Sequence, residues 1–230
     1  MKTIGILGGM SWESSLLYYR LINQEVGRRL GGLHSAKILL NSIDFEPLEQ
    51  MQHAGDWDGA ADMLIDATRQ LKAGGADFLV IATNTMHRVA DAITAEVDLP
   101  LLHIADATAE VMSRDGIQRV GLLATAFTME LDFYRDRIQD HDIDIVVPEL
   151  HDRQIVHDII YQELCRGHVD PDSREIYLAV IDRMRDQDIE AVILGCTEIG
   201  MLVEPEHTDM RLYDTTAIHA LQAVEMALAD

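Results

Sequence analysis

The chain is poor in cysteine and in long apolar runs, and each scarcity excludes a class of protein. It has only two cysteines, Cys165 and Cys196, too few for the disulfide framework of a small secreted domain. No apolar run approaches the roughly 18 residues that a membrane span requires. The apolar part of MKTIGILGGMS, at the start, is too short for a signal peptide. We therefore expect a cytoplasmic protein with no membrane partner.

Positive charge is also scarce. Acidic residues outnumber basic ones so strongly that the formal net charge is −22, and only three of the 18 basic residues are lysines, at positions 2, 37 and 72. Such a chain repels nucleic acid, which excludes it as a partner. The acidity indicates either an ordinary solvated surface or adaptation to high salt. A hydrophobic content of 48% predicts a folded core.

Strand-like and helix-like segments alternate along the chain. TIGILGG, AKILLNSI and DFLVIA predict strands, and Ser11 and Gly31 are placed to begin and end the first helix between them. This alternation predicts an α/β protein with parallel sheets and with ligands at the carboxyl ends of the strands. We expect two halves, residues 1–98 plus 208–230 and residues 99–207.

Two strings of the first half have echoes in the second. TIGILGGMS matches RVGLLATAFT, which pairs Gly5 with Gly121, and FLVIATNTMH matches AVILGCTEIG, which pairs Thr83 with Cys196. Each apolar run ends in small or hydroxylated residues. The repeat predicts two copies of one α/β unit, each with a polar strand end directed at a shared cleft. Chemistry applied to one carbon from opposite faces is what racemisation requires.

Cys196 is the strongest candidate for a reactive group. It follows an apolar strand and precedes a predicted helix, whose N-terminus would lower the thiol pKa. Cys165 falls inside a predicted helix over 151–168, where an inert thiol is expected. Gly8 and Gly9 do not have dinucleotide-binding spacing, so we expect them to let a small ligand approach the backbone.

Three motifs resemble the aspartate/glutamate racemase family, and most of all its bacterial aspartate/glutamate-specific branch. They are GILGGMSWES near the N-terminus, TNTMH at 83–87 and GCTEI at 195–199. The resemblance implies two pseudo-symmetric α/β halves with the active site in the cleft between them. It also implies a cofactor-independent racemase, usually a homodimer, in which two cysteines exchange the α-proton of the substrate.

The chain departs from this pattern because Thr83 occupies the position of the first cysteine. A hydroxyl is a far weaker acid than a thiol, so we expect Cys196 to act as the base toward an L-substrate and Thr83 as the proton donor. The expected substrate is a small acidic amino acid, aspartate or glutamate. A single-cysteine decarboxylase or isomerase of a dicarboxylic acid, and a non-catalytic dicarboxylate-binding protein, remain alternatives.

A pyridoxal cofactor is not expected, because no lysine follows a strand. A metal ion is not expected either, because no cluster of residues has metal-ligand spacing.

The resemblance also suggests which residues bind the substrate. Arg166 is a candidate partner for the distal carboxylate, or else a solvated residue at a helix end. The predicted substrate-binding residues are Met10, Gln52, Thr83, Asn84, Thr85, Thr125, Thr128, Arg166, Thr197 and Glu198.

Overall fold

The computed structural model describes residues 1–229 and separates into two compact units. The first unit consists of Met1–His103 and the chain from His219 onward, and the second is Ile104–Ile218. Each unit has its own four-stranded parallel sheet flanked by helices, which confirms the predicted fold class. Among the described residues, no helix combines the length and the apolar character that a membrane crossing demands.

The sheet of the first unit has the strand order β2-β1-β3-β4, and every neighbouring pair is parallel. Its strands are β1 (Ile4–Gly8), β2 (Ile38–Ser42), β3 (Phe78–Ile81) and β4 (Leu101–Leu102). The helices of this part of the chain are α1 (Trp12–Leu30), α2 (Phe45–Ala54), α3 (Trp57–Ala73) and α4 (Ala90–Glu96).

The sheet of the second unit has the order β6-β5-β7-β8 and is also parallel throughout. Its strands are β5 (Arg119–Leu123), β6 (Asp144–Val146), β7 (Ala191–Leu194) and β8 (Arg211–Asp214). The remaining helices are α5 (Ile104–Arg114), α6 (Ala126–Glu130), α7 (Asp132–Gln139), α8 (Leu150–Gln162), α9 (Pro171–Arg185), α10 (Ile199–Leu202) and α11 (Thr215–Leu228).

The two sheets therefore repeat one topology. β1 and β5 occupy the same place in their sheets, as do β3 and β7, which is the pairing that the sequence echoes predicted. Thr83 follows the end of β3 by two residues, and Cys196 follows the end of β7 by two residues. Thr83 and Cys196 are thus equivalent positions of the two units.

The unit boundaries differ from those expected from the sequence. We expected residues 208–230 to join the first half, but β8 pairs in parallel with β7 and so belongs to the second sheet. Only the chain from His219 onward belongs to the first unit, and the earlier boundary falls after His103 rather than after residue 98. Backbone hydrogen bonding in the sheet decides the place of β8, and four residues of local sequence do not reveal it.

The apolar strands are explained by burial on both faces of each sheet. Along β3, Leu79 and Ile81 pack into one core cluster, whereas Phe78 and Val80 pack into another. Successive side chains of a strand point to opposite faces, so a strand covered on both sides is apolar throughout. Each such buried side chain contributes roughly 1.5–3 kcal/mol to stability.

The predicted ends of the first helix are confirmed. The Ser11 side chain accepts a hydrogen bond from the Ser14 backbone N–H at 3.3 Å, and Gly31 terminates the helix. The turn before the helix also shows what its glycines do for packing. A side chain at Gly9, where φ is +91°, would collide with the Ile43 backbone, and one at Gly8 would collide with Ser15. These glycines are therefore required by packing within the chain itself.

Candidate active site

The first half-site is the turn that follows β3. β3 lies between β1 and β4, and its carboxyl end leads through buried Ala82 to the half-buried Thr83. Asn84 and Thr85 are buried, and a single 3-10 turn begins at Thr85. Three consecutive polar side chains thus follow the apolar strand at the edge of the sheet where parallel α/β proteins bind ligands.

His87 fixes the backbone of this turn. Its Nδ1 lies 2.8 Å from the carbonyl oxygen of Thr83, so the Nδ1–H donates to that oxygen. Burial lowers the pKa of His87 well below its ordinary value, and the neighbouring rings of His103 and His219 lower it further. The imidazole is therefore neutral, and its hydrogen bond holds the residue that carries the candidate hydroxyl.

His87 belongs to a buried cluster of three histidines, the others being His103 and His219. The His87 ring centroid lies 4.5 Å from that of His103 and 5.9 Å from that of His219. The Nε2 of His219 lies 2.9 Å from the Leu102 carbonyl, and its Nδ1 lies 2.8 Å from the Tyr18 hydroxyl. Burial lowers the pKa of His219 to about 4. Sequence reasoning missed this cluster because its members come from distant segments.

Two other predicted residues of the first unit have different surroundings. Gln52, in the last turn of α2, lies with its Nε2 2.9 Å from the Sδ of Met86 and so contacts the turn after Thr85. Met10 is buried in the same apolar cluster as Met86, and its side chain packs in the core. Gln52 is thus placed beside the first half-site, whereas the contacts of Met10 are those of a core residue.

The second half-site follows β7. Gly195 links the strand to Cys196, and a side chain there would come within 2.7 Å of the Leu122 side chain and 3.0 Å of Ala124. Only glycine lets the end of β7 lie this close to β5. Cys196 is half-buried, and the next two residues, Thr197 and Glu198, are buried.

The Cys196 thiol is paired with a carboxylate. Its Sγ lies 3.1 Å from Oε2 of Glu198, close enough for the thiol to donate a hydrogen bond. Burial raises the pKa of Cys196 well above its ordinary value, and the adjacent Glu198 charge raises it further. The expectation of a lowered thiol pKa was wrong. α10 is a single turn of four residues that starts only at Ile199, and the carboxylate outweighs it.

Cys165 also contacts Glu198. The predicted helix over 151–168 ends at Gln162, and Cys165 lies in the 3-10 turn Leu164–Arg166, which Gly167 terminates at φ 74°. From this turn its Sγ is 3.9 Å from Oε1 of Glu198. Burial and the Glu198 charge raise the pKa of Cys165 too, and the neighbouring Arg166 guanidinium opposes that rise.

The turn after β5 supplies hydroxyl groups. The Oγ1 atoms of Thr125 and Thr128 lie 3.3 Å apart, and both side chains are buried. The backbone N–H of Ala126, between them, donates to Nδ1 of His157 at 3.1 Å. His157 was not predicted. Its spacing of four residues from Tyr161 on α8, with ring centroids 4.8 Å apart, is the signal that could have indicated it.

The structure thus assembles two half-sites, one in each unit. Thr83, Asn84, Thr85 and Gln52 belong to the first, and Cys196, Thr197 and Glu198 to the second, with exposed Arg166 next to Cys165. Within residues 1–229, no group of three or more His, Cys, Asp or Glu side chains converges in a way that could hold a metal ion.

The chain is an α/β protein built from two copies of one unit, each with polar residues at the carboxyl ends of its strands. The sequence model described as Asp/Glu/Hydantoin racemase matches residues 7–223, and the chain belongs to that family. A solved structure of a proposed Asp/Glu racemase from Yersinia pestis is 50% identical, with 100% of both chains covered and a TM-score of 0.92.

Other relatives agree with this assignment. An aspartate racemase homologue from Pyrococcus horikoshii OT3 is 32% identical with a TM-score of 0.85, again over 100% of both chains. The broad specificity amino-acid racemase RacX of Bacillus subtilis is 21% identical over 76% of this chain and 75% of its own length.

Proposed function

We propose that the protein is a cofactor-independent racemase of acidic amino acids, with aspartate and glutamate as the substrates to test. The observation that carries the proposal is the pair of equivalent strand ends, with Thr83 after β3 and Cys196 after β7. In this proposal the two side chains act on opposite faces of one α-carbon. Membership of a racemase family supports the reaction class.

The Cys196–Glu198 pair supports the role of base. Because the thiol pKa is raised, Cys196 is protonated in the resting protein at neutral pH. The Glu198 carboxylate, 3.1 Å away, is positioned to accept the thiol proton as the substrate binds. The positive α-ammonium group of an amino acid would favour the thiolate that this transfer leaves. The thiolate then removes the α-proton of the L-enantiomer, and the new carbanion carries the electron pair.

Thr83 is proposed to return a proton on the other face, after which solvent reprotonates its alkoxide and Glu198 releases the proton that it took from Cys196. Its hydroxyl is too weak an acid to serve as a resting base, but it is a far stronger acid than the α-carbon of an amino acid. The hydrogen bond from His87 to the Thr83 carbonyl fixes the residue for this step. Exchange of the α-proton with solvent is then unequal for the two enantiomers, because only Cys196 forms a base at moderate pH. We expect L-substrates to be preferred.

Substrate binding is proposed to rely on a few local donors. A net charge of −22 disfavours an anionic ligand, so neutral and cationic groups near the half-sites must offset it. Thr125 and Thr128 supply hydroxyl groups, and exposed Arg166 supplies a guanidinium suited to a distal carboxylate. Asn84, Thr85 and Thr197 are proposed to bind the α-carboxylate and ammonium groups.

The placement of the lysines supports a mechanism without pyridoxal phosphate. A Schiff-base lysine would have to reach the carboxyl ends of the strands. Lys2 and Lys37 instead precede β1 and β2, and Lys72 lies at the end of α3 before β3 begins. All three therefore lie toward the amino ends of the strands, at the opposite edge of the sheet.

Proton NMR in D₂O tests the proposal directly. Wild-type protein is incubated with the L- and D-forms of aspartate and of glutamate, and with a 5-substituted hydantoin as a substrate control. We expect loss of the α-proton signal and decay of optical activity to zero for at least one acidic amino acid, with the α-proton lost fastest from the L-form. Release of CO₂ would indicate a decarboxylase. Binding without exchange would indicate a dicarboxylate-binding protein, and either result would overturn the proposal.

A further inference from the structure

The turn after β5 lies beside the Cys196 half-site. In the second sheet, Leu123 at the end of β5 pairs with Leu194 at the end of β7. Thr125 and Cys196 each follow two residues later, so they leave neighbouring strands level with each other. Neighbouring strands lie roughly 5 Å apart. A ligand that contacts the Cys196 thiol would therefore also reach the turn after β5.

This turn depends on other parts of the chain for its shape. Thr125 and Thr128 place their hydroxyl oxygens 3.3 Å apart, and the helix that begins between them, α6, has only five residues. A helix of this length is not stable by itself, so contacts from elsewhere must fix its first turn. Those contacts also decide where the two hydroxyl groups lie.

His157, on α8, makes such a contact. Its Nδ1 accepts a hydrogen bond at 3.1 Å from the backbone N–H of Ala126, the first residue of α6. An Nδ1 that accepts carries no proton, so the neutral ring carries its proton on Nε2. The ring itself packs against Tyr161, at 4.8 Å between centroids, and against the edge of Phe127, at 5.9 Å. The imidazole thus joins α8 to the start of α6.

The course of α8 places this contact at the functional edge of the second sheet. His157 contacts the turn after β5, and eight residues later Cys165 contacts Glu198, which follows β7. The end of α8 and the 3-10 turn after it therefore run past the carboxyl ends of two neighbouring strands. Parallel α/β proteins bind their ligands at this edge.

We propose that His157 is a positioning residue that sets the preference for dicarboxylic substrates. It holds the hydroxyl groups of Thr125 and Thr128 where they bind the distal carboxylate of the substrate. The inference rests on the proposed function, which assigns these hydroxyls to the substrate. Without His157, the Ala126 N–H loses its acceptor and the turn is free to shift. Hydrogen bonds to a carboxylate depend on donor alignment, so the shift weakens binding of that group alone.

Two substitutions of His157 separate the hydrogen bond from the packing of the ring. His157→Phe keeps a ring to pack against Tyr161 but has no acceptor for the Ala126 N–H. His157→Asn loses the ring but carries an amide oxygen the same number of bonds from the backbone as Nδ1. His151→Phe is the matched control, since His151 is an exposed histidine of the same helix.

Ligand-observed NMR titrations with succinate and butyrate test the proposal. The two probes have the same number of carbons, but only succinate has a second carboxylate. We expect His157→Phe to raise the Kd of succinate roughly tenfold, the cost of a lost hydrogen-bond acceptor. The Kd of butyrate should stay close to its wild-type value. His157→Asn and His151→Phe should bind succinate nearly as the wild type does.

Turnover of L-aspartate gives a second measurement. In His157→Phe the KM should rise while kcat changes little, because the Cys196 and Glu198 side chains are untouched. A variant that is merely less stable would lose kcat through a smaller active fraction. Circular dichroism verifies that each variant is folded before it is compared.

Several results would overturn the proposal. One is a folded His157→Phe variant that binds succinate as the wild type does, or that loses succinate and butyrate equally. Another is a His157→Asn variant as weak as His157→Phe. If His157→Phe does not fold, the Asn variant and hydrogen exchange of the Ala126 amide in the wild type decide, and rapid exchange would refute the contact. A wild type that binds succinate but exchanges no α-proton would refute the proposed racemase alone.

Discussion

Replacing His219 by glutamine should make the first unit less sensitive to acid. His219 is buried, and burial lowers its pKa from 6.5 to about 4. The folded protein resists protonation of His219, whereas the unfolded chain takes up the proton below pH 6.5. His219 therefore contributes to the free energy of unfolding an amount that is fully present above pH 6.5. This contribution is lost as the pH falls toward 4, because the unfolded chain takes up the proton first. Glutamine cannot take up a proton, so His219→Gln removes this dependence.

The structure sets the size of the effect. At about 1.4 kcal/mol for each pH unit between the two pKa values, the full contribution of His219 is about 3 kcal/mol. About 2 kcal/mol of it should already be lost between pH 7 and pH 5. The substitution itself also costs about 1–3 kcal/mol at pH 7, because glutamine cannot keep both the Tyr18 and the Leu102 hydrogen bonds. The variant is thus weaker at pH 7 but loses less on acidification.

Urea unfolding followed by tryptophan fluorescence measures this difference in the unit concerned. Both tryptophans of the chain, Trp12 and Trp57, lie in the first unit, so their emission reports its unfolding. His34→Gln is the control, since His34 is an exposed histidine of the same unit. If His219→Gln loses as much stability between pH 7 and pH 5 as the wild type does, burial of a neutral His219 is not the source of acid sensitivity.

Four further predictions concern the proposed chemistry. Cys196→Ala should abolish α-proton exchange in a folded protein, and a loss of kcat/KM below about 1.4 kcal/mol would contradict its role as base. Thr83→Cys should raise the rate of α-proton exchange from D-substrates relative to L-substrates, and an unchanged exchange ratio in a variant that still binds ligand would argue against the assigned face. In the wild type, kcat/KM for the L-substrate should stay level with pH across the usual thiol range, because the raised pKa keeps free Cys196 protonated and Glu198 takes its proton only as substrate binds. A rise that follows thiol ionisation would contradict this role of Glu198. Glu198→Gln should speed iodoacetamide alkylation of Cys196, because it removes the charge that raises the thiol pKa. The same substitution should slow turnover, because it removes the acceptor of the thiol proton. Slower alkylation would refute this account.

Much of the fold was predictable from local sequence. Apolar strand segments such as FLVIA and AVILG are buried on both faces, and their echo predicted two sheets of the same topology. Ser11 and Gly31 predicted the ends of the first helix because capping depends on neighbouring residues alone. The equivalent placement of Thr83 and Cys196 followed from the same repeat. These features depend on periodicity and short-range hydrogen bonding, which a sequence displays directly.

The tertiary structure alone decided the electrostatics of the two half-sites. The three clustered histidines come from separate segments of the chain, so only folding reveals that they meet and that burial keeps His87 and His219 neutral. Cys165 reaches Glu198 because α8 ends at Gln162, earlier than its pattern suggested. The sequence identified Cys196 as the reactive candidate, but the direction of its pKa shift depends on burial and on a carboxylate 3.1 Å away. Burial and distances of this kind arise from packing between distant segments, and local sequence does not encode them.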